Sequence, residues 1–319
     1  MSIKKCTILI WAFNAEKYIY DAIDSCYKSD DESLFEMIIV DDCSTDNTNK
    51  IINDYIHSKR KKILIIKNKI NLGLTKSLNK GIKSVKTEFL ARLDADDKNN
   101  FHRIEKQIKT MEQDSSLFCC SSDGFLIDDD GNSCRSSKFP KIKTDLYEYL
   151  LKKGNPFIHS SLMFRTKMLL DVGKYSPELS FRQDYELLIR SLHNNFRIKH
   201  LNETLIFHRI SNNSISTDPT ALIYGDLIRF FVHKQKKDHD YNASFENIRQ
   251  KYFTKRSTLL ENILLNERKI SILKNKIFCK PRFILFDKSI LELSIRELVY
   301  FVTSVFKPYL LKLLRKRLN

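Results

Sequence analysis

Short apolar runs alternate with amphipathic stretches through the first part of the chain. Continuous runs such as MIIV at 37–40 are typical of strands covered on both faces, as in a parallel sheet. The predicted strands are residues 7–11, 36–40, 63–67 and 89–93, and the predicted helices are residues 16–28, 46–58 and 75–85. Strand–helix alternation with short connections predicts right-handed crossovers. We therefore expect a doubly wound, mostly parallel α/β sheet flanked by helices.

The pattern is less regular beyond residue 100. It predicts helices at 101–113, 145–152 and 184–193, and strands near 117–120 and at 205–208. The run Asp128-Asp129-Asp130-Gly131 predicts a tight turn between two short strands. After about Ser216 the strand signal stops and the chain becomes helical in pattern. We predict three regions: residues 1–110 and 111–216 as two halves of one α/β domain, and residues 217–319 as a helical extension.

The net charge of +16 is concentrated in the helical extension. Residues 221–319 carry 21 basic and 9 acidic residues, which is 12 of the 16 net charges. Apolar residues recur at helical spacing through 290–314 with basic residues between them, which is typical of a helix lying in a membrane interface. The alternative is a helix packed on its own catalytic domain. Peripheral contact with an anionic membrane and this packing remain two open interpretations.

Cysteine usage and hydropathy indicate the compartment. The seven cysteines are an odd number without a Cys-x-x-Cys pair, which favours reduced thiols in a cytosolic protein. No stretch is long and apolar enough for a transmembrane helix, and the apolar run at 7–10 is too short for a signal peptide. We expect a cytoplasmic protein.

Polar clusters follow three of the predicted strands. Phe13-Asn14 follows the first strand, Asp41-Asp42-Cys43-Ser44 the second and Asp94-Ala95-Asp96-Asp97 the fourth. Ligands on doubly wound sheets bind beyond the carboxyl ends of the strands, so these clusters are expected to meet in one crevice.

The spacing of Asp94 and Asp96 has a chemical meaning. In an extended segment these two carboxylates point to the same side, and hard carboxylate oxygens suit Mg²⁺ or Mn²⁺ shared with substrate phosphates. The alternative is a solvated acidic turn that caps the helix beginning near Phe101. Asp42 has a similar alternative as a helix cap, and Phe13 as a core residue.

The ordered series of motifs resembles the family 2 glycosyltransferases, which have the GT-A fold. The motifs that carry the resemblance are TILIWAFN (7–14), IVDDCSTD (39–46), NLGL (71–74), ARLDADD (91–97), HRIEKQ (102–107), PFIHSS (156–161) and QDYELLIR (183–190). They cover residues 5–216, with residues 1–110 as the nucleotide-sugar-binding half and 111–216 as the acceptor-binding half. The composition resembles enzymes of bacterial surface-polysaccharide synthesis.

The resemblance implies an inverting transfer of a sugar from a nucleotide-sugar, with a UDP-sugar favoured, to a hydroxyl group of a glycan or lipid-linked saccharide. Asp184 would be the general base, and Asp96 with Asp94 would hold Mn²⁺ or Mg²⁺. His159 and Gln183 would contact the acceptor. The residues implied for the nucleotide-sugar are Phe13, Asn14, Asp42, Asn71, Lys76, Arg92, Asp94 and Ala95.

Some supporting residues carry alternatives. Lys76 and Arg209 could reach the diphosphate or be solvated charges, His159 could bind sugar or the backbone, and Arg103 is expected to position the acidic loop. The chain departs from the family pattern at Trp11 and Ala12, which could alter the base pocket. Gln183 stands where the family usually has Glu, which could change acceptor contacts.

Other function classes fit less well. A nicotinamide-dependent oxidoreductase needs Gly-x-Gly-x-x-Gly after the first strand, and residues 11–17 contain no glycine. A non-catalytic protein that binds a nucleotide-sugar or an anionic surface remains the alternative. A nucleic-acid partner is not expected, because carboxylates in the crevice repel phosphates without a metal. A membrane-bound acceptor would place the enzyme on the inner face of the bacterial inner membrane.

Overall fold

The computed structural model describes residues 4–177 and 179–210, together with Gly225 and Ile228. The strands are β1 (Cys6–Ala12), β2 (Phe35–Asp41), β3 (Ile63–Lys67), β4 (Phe89–Asp94), β5 (Lys98–Asn99), β6 (Leu117–Ile127), β7 (Ser133–Ser137), β8 (Met163–Arg165) and β9 (Arg197–Arg209). The helices are α1 (Ile19–Ser29), α2 (Thr48–Lys59), α3 (Leu74–Ile82), α4 (Arg103–Gln113), α5 (Leu146–Lys153), α6 (Thr166–Asp171) and α7 (Gln183–His193), with a 3₁₀ turn at His159–Ser161.

The strands form one mixed sheet in the order β3-β2-β1-β4-β8-β6-β9-β5, with β7 paired to β6. The half from β3 to β4 is parallel throughout. Beyond β4 the short strand β8 runs antiparallel to both of its neighbours, while β6 and β9 are parallel to each other. The predicted α/β fold with parallel pairing is confirmed, and the antiparallel strand β8 joins β6 and β9 to the parallel half.

Helices cover both faces of the sheet. Alternate residues of a strand point to opposite faces, so one strand contributes side chains to both layers of packing. Ile8 and Ile10 of β1 share a buried cluster with apolar residues of α1, α2 and α4. Leu9 faces the other way, toward α3, where a Cβ on Gly81 would come within 2.5 Å of a Leu9 methyl carbon. The apolar runs of the sequence are therefore buried on both sides.

The predicted elements of the first hundred residues match the structure within a few residues. Two strands of the second half are much longer than predicted: β6 runs over Leu117–Ile127 and β9 over Arg197–Arg209. The middle of β6 contains Ser121, Ser122 and Asp123, all buried, which interrupt the apolar signal. The strands β5 and β8 and the helix α6 were not predicted, because two to six residues are too short to show a period.

The predicted turn at 128–131 joins β6 to β7. The N–H of Gly131 donates to the carbonyl of Asp128, and Gly131 has a φ of 88°. The helical extension, including the amphipathic stretch 290–314, lies outside the described residues, so its predicted contacts and the predicted region boundaries stay predictions. Among the described residues, no helix has the length and apolar character needed to cross a membrane.

Candidate active site

The carboxyl ends of β1, β2 and β4 meet at one edge of the sheet. Trp11 pairs with Asp94 of β4, and Ala12 pairs with Asp41 of β2. The segments that follow these strands must therefore leave the sheet side by side. The polar clusters that follow these strands therefore begin at this edge.

The loops after β1 and β2 are held together by side chains. Asn14 accepts a hydrogen bond through Oδ1 from the N–H of Thr45, and Ser44 Oγ accepts one from the N–H of Asn14. Asn14 and Cys43 adopt positive φ angles of 47° and 65°. Phe13 is 38% exposed on the same loop, so its ring is accessible rather than part of the core.

The Asp42 carboxylate is wholly buried and accepts four hydrogen bonds. Oδ1 accepts from Asn68 Nδ2 at 2.7 Å and from the N–H of Leu72 at 2.8 Å. Oδ2 accepts from the N–H of Gly73 at 2.9 Å and from Trp11 Nε1 at 3.2 Å. A carboxylate offers about four acceptor positions, so a nucleobase N–H bound here would share an oxygen with these donors.

The loop that Asp42 holds carries two of the predicted nucleotide-binding residues. Asn71 is exposed and accepts the N–H of Gly73 through Oδ1 at 3.1 Å. Gly73 has a φ of 80°, a conformation that favours glycine. Lys76 is exposed on α3. Asp42 thus fixes a loop from which Asn71 and Lys76 reach solvent.

The buried Arg92 and the partly exposed Asp94 form an ion pair at the end of β4. The Arg92 guanidinium is fully buried and donates to Asp94 Oδ1 and to the carbonyl of Leu93. Asp94 Oδ2 accepts from Ser160 Oγ at 2.6 Å. Burial opposes ionisation, but Arg92 and His159 outweigh it and hold the pKa of Asp94 at about 2. The buried Arg92 therefore fixes the orientation of the Asp94 carboxylate. Ala95, the next residue in the loop, is 8% exposed.

Asp96 is partly exposed and surrounded by like charge. Burial together with the carboxylates of Asp97 and Asp94 raises its pKa to about 7. The Asp97 carboxylate is wholly buried and hydrogen-bonded within the protein. It accepts from the N–H of Arg209 at 2.7 Å and from His208 Nδ1 at 3.0 Å. Burial lowers the pKa of His208, but the three aspartates outweigh that effect and raise it to about 9.

The acidic loop suits a cation that is also held by substrate. No group of three or more His, Cys, Asp or Glu side chains within the described ranges is arranged to hold a metal on its own. An aspartate whose pKa is raised by burial and by neighbouring carboxylates, as for Asp96, is stabilised in its charged form by a divalent cation. Mg²⁺ and Mn²⁺ commonly take one or two carboxylates plus phosphate oxygens. Asp96 and Asp94 fit this mode of binding.

Two buried arginines hold the acidic loop in place. Arg209 donates through Nε to the carbonyl of Asp96 at 2.9 Å and stacks on the ring of Tyr18 at 4.2 Å. Its guanidinium is thus used to hold the loop and is not a solvated charge. Arg103 donates to the carbonyl of Arg92 at 2.8 Å and to Asn99 Oδ1 at 2.7 Å, as a positioning residue would.

Asp184 lies in the first turn of α7, two residues after Arg182, whose φ is 57°. Its Oδ2 accepts a hydrogen bond from Asn155 Nδ2 at 2.6 Å. Gln183, the neighbouring residue, is 5% exposed.

His159 joins this side of the site to the acidic loop. Its Nε2 lies 2.8 Å from the hydroxyl of Tyr175. Burial and the nearby Arg92 lower its pKa, while Asp184 and Asp94 oppose that effect. The loop that carries His159 also links the two carboxylates, because Asn155 donates to Asp184 and Ser160 donates to Asp94.

Sequence reasoning missed several residues that build the site. Asn155 and Ser160 lie inside or beside a recognised motif, yet nothing in the motif indicates that they contact Asp184 and Asp94. His208 precedes Arg209 at the end of β9 and contacts Asp97 across 111 residues of sequence. The predicted strand at 205–208 placed His208 at a strand end, which was the one available signal.

Comparisons with known proteins identify the family. The family model described as Glycosyl transferase family 2 matches residues 7–173. An uncharacterized glycosyltransferase of Methanocaldococcus jannaschii is 32% identical over 232 residues, covering 72% of this chain and 79% of that protein. The Escherichia coli UDP-Glc:alpha-D-GlcNAc-diphosphoundecaprenol beta-1,3-glucosyltransferase WfaP is 28% identical over 223 residues, covering 70% of this chain and 82% of that protein.

A solved structure shares the fold. The chain of Staphylococcus aureus TarS 1-349 in complex with UDP-GlcNAc is 20% identical and superposes with a TM-score of 0.57. The match covers 71% of this chain and 66% of that chain, so this protein spans slightly less than two thirds of the TarS chain. This likeness confirms the expected GT-A type of fold.

Proposed function

The chain belongs to glycosyl transferase family 2, and from that membership and its site we propose that it transfers a sugar from a UDP-sugar to a hydroxyl group of a glycan or lipid-linked saccharide, with inversion. The observation that carries the proposal is that one loop contacts both acidic residues, with Asn155 donating to Asp184 and Ser160 donating to Asp94 at the end of β4. The UDP-GlcNAc bound in the TarS structure supports the donor class, and the diphosphoundecaprenol-linked acceptor of WfaP supports a lipid-linked acceptor.

The donor lies across the loops after β1, β2 and β3 in this proposal. The accessible ring of Phe13 stacks on the base, and Asp42 shapes the pocket by fixing the backbone of Leu72 and Gly73. Asn71 and Lys76, both exposed, reach toward the ribose and diphosphate. A nucleotide would then place its phosphates toward Asp94 and Asp96, because all of these groups lie at the same edge.

Asp96, with Asp94, would hold a divalent cation between the loop and the diphosphate. When bound, the cation supplies positive charge that stabilises the departing nucleoside diphosphate. Arg92 and Ser160 fix the orientation of Asp94, and Arg209 fixes the backbone of Asp96. The site is thus shaped before the substrates arrive, which reduces the cost of orienting them.

Asp184 accepts the proton of the acceptor hydroxyl in the same proposal. The hydroxyl oxygen bonds to the anomeric carbon as the bond from that carbon to the phosphate oxygen breaks. Its proton passes to Asp184, and the electron pair of the broken bond leaves with the nucleoside diphosphate. A single displacement of this kind inverts the anomeric centre.

A panel of nucleotide-sugars tests the proposal, with and without Mn²⁺, scored for release of nucleoside diphosphate and for transfer to acceptor. We expect turnover of one donor that chelation abolishes, loss of that turnover in Asp96→Ala, and retained donor binding without transfer in Asp184→Asn. The matched control is Asp171→Asn, at the end of α6 and outside the site. Binding of a nucleotide-sugar by the wild type without turnover of any donor would favour the non-catalytic alternative.

We also infer that the enzyme works in the cytoplasm, peripherally on the inner face of a bacterial inner membrane. The support is the excess of basic residues beyond position 220 and the lipid-linked acceptor of WfaP. Flotation with vesicles of anionic and of neutral lipid distinguishes this from a helical extension packed on the catalytic domain, since binding is expected to anionic vesicles alone.

A further inference from the structure

One loop contacts both carboxylates that the proposed reaction uses. The loop runs from Gly154, which follows α5, to Ser161 at the end of the 3₁₀ turn. Asn155 at its beginning donates to Asp184, and Ser160 near its end donates to Asp94. The two contacts are five residues apart in sequence, although Asp94 and Asp184 are 90 residues apart.

The Asn155 amide is oriented at both ends. Its Oδ1 accepts the N–H of Phe157 at 3.0 Å, so the opposite group that donates to Asp184 Oδ2 at 2.6 Å is the NH₂. Gly154, with a φ of 90°, donates its N–H to the carbonyl of Leu150 and ends α5. Pro156 fixes its own φ, so little backbone freedom remains on either side of Asn155.

The middle and the end of the loop are anchored in the core. Phe157 is 7% exposed and packs on Phe139 with a distance of 4.9 Å between ring centroids. Ser160 is wholly buried, and its Oγ both donates to Asp94 Oδ2 and accepts the N–H of Asp94 at 3.1 Å. A displacement of Asn155 relative to Asp94 would have to break these contacts.

We propose that Asn155 is a positioning residue for the base Asp184, an inference that rests on the proposed function. By occupying Oδ2, it leaves Oδ1 for the acceptor hydroxyl, and no described residue donates a hydrogen bond to Oδ1. Because Ser160 ties the same loop to Asp94, the loop fixes the base relative to the donor side of the site. The proton of the acceptor hydroxyl then passes to Oδ1 of Asp184, whose orientation is fixed before the acceptor binds.

Two substitutions separate this role from a general loss of structure. Asn155→Ala removes the donor and frees the Asp184 carboxylate to rotate. Asn155→Asp keeps an oxygen to accept the N–H of Phe157 but places a second carboxylate beside Asp184. The matched control is Asn100→Ala: Asn100 likewise accepts a backbone N–H, from Phe101, and donates from Nδ2, but to the carbonyl of Thr204.

We expect Asn155→Ala to lower kcat for transfer about 10- to 100-fold with KM for the donor within twofold, since misplacing a reacting group by about 1 Å can cost 100-fold. Asn155→Asp is expected to move the acid limb of the kcat–pH profile upward by about one pH unit or more, because two adjacent carboxylates retain a shared proton. Asn100→Ala is expected to keep the wild-type profile.

The outcomes distinguish the inference from the function on which it rests. An inactive wild type, or an Asp184→Asn variant that still transfers sugar, contradicts the proposed base and the positioning role with it. A second case is an active wild type with an inactive Asp184→Asn variant. The positioning role alone is then overturned if Asn155→Ala equals Asn100→Ala in kcat, or if the Asn155→Asp profile is unshifted. Both expected effects together support it.

Discussion

At the scale of single residues, the buried charges of the site act mainly on the backbone. Asp42 accepts two backbone N–H groups from the loop before α3, and Arg209 donates to the carbonyl of Asp96. A buried charge is stable only when its hydrogen bonds are satisfied, so each of these contacts resists displacement of the loop it holds. The side chains of Phe13, Asn71 and Lys76 remain exposed and can contact the proposed nucleotide-sugar.

Asp30 gives a prediction at the same scale. Its Oδ1 accepts the N–H of Ile104 at the start of α4, while Oδ2 is buried without a hydrogen-bond partner in the described structure. Burial raises its pKa to about 6, although Ile104, Glu105 and Arg103 oppose the shift. Folding therefore favours the protonated form, and its contribution to stability is full below about pH 4 and lost as the pH rises through 6.

We accordingly expect Asp30→Asn to gain stability relative to wild type as the pH rises from 4 to 7, by up to about 3 kcal/mol. Asn retains an oxygen to accept the N–H of Ile104, so the helix cap is kept. The measurement is urea unfolding of both proteins across this pH range, with Asp31→Asn as control because Asp31 is exposed. A stability difference that is constant with pH would show that Asp30 is ionised throughout.

At the scale of elements, α3 packs on the sheet through a glycine. A Cβ on Gly81 would lie 2.5 Å from Leu9 Cδ1 and 2.9 Å from Val40 Cγ2, and both of these side chains are fully buried. Alanine favours a helix by about 1 kcal/mol over glycine, but overpacking a core costs about 1–3 kcal/mol. The close approach of α3 to β1 and β2 also positions Gly73 and Lys76 at its beginning.

We expect Gly81→Ala to lower the free energy of unfolding by about 1–2 kcal/mol and to weaken nucleotide binding, because α3 must move away from the sheet. Lys83→Ala, at the exposed end of the same helix, is the control and is expected to change neither quantity. Chemical unfolding and titration with UDP measure the two effects. A more stable Gly81→Ala variant would mean that Leu9 and Val40 can repack at no cost.

The contrast between the two halves of the sheet explains how far the sequence predicts the fold. Strands β1, β2 and β4 are buried along nearly their whole length and are mostly apolar, so their pattern predicts strands clearly. Strand β6 instead buries Asp123, whose Oδ1 lies 2.9 Å from His200 Nε2 of β9 and accepts the N–H of Phe139. A buried polar residue satisfied by a distant partner has the same local signal as a surface loop, which is why β6 and β9 were predicted too short.

The candidate site likewise has a part that the sequence predicts and a part that it does not. Asp94, Asp96 and Asp184 could be predicted because they stand in short motifs of fixed spacing. The contact of Asn155 with Asp184 and that of Ser160 with Asp94 depend on how β8 and its preceding loop return to the sheet beside β4. That return is a tertiary feature, and no periodicity along the chain reports it.

At the scale of the whole molecule, the donor and the cation are proposed to bind across loops from several elements, and this coupling has a measurable thermodynamic consequence. A ligand that binds the folded chain alone stabilises it by about 2.7 kcal/mol at a concentration 100 times its Kd. We expect UDP with Mn²⁺ to raise the thermal midpoint more than the sum of UDP alone and Mn²⁺ alone, because the like charges around Asp96 favour a cation that the diphosphate also holds.

Excess chelator should return the thermal midpoint to its value with UDP alone. Asp96→Ala should remove the extra rise in midpoint that requires both UDP and Mn²⁺, while it keeps the rise caused by UDP alone. Asn100→Ala, whose contacts lie between the β5–α4 loop and β9, should behave as wild type. Differential scanning calorimetry at fixed protein concentration supplies the measurement. Additive midpoint shifts for UDP and Mn²⁺ in the wild type would show that the cation and the diphosphate do not share a site, and would remove Asp96 from the proposed metal position.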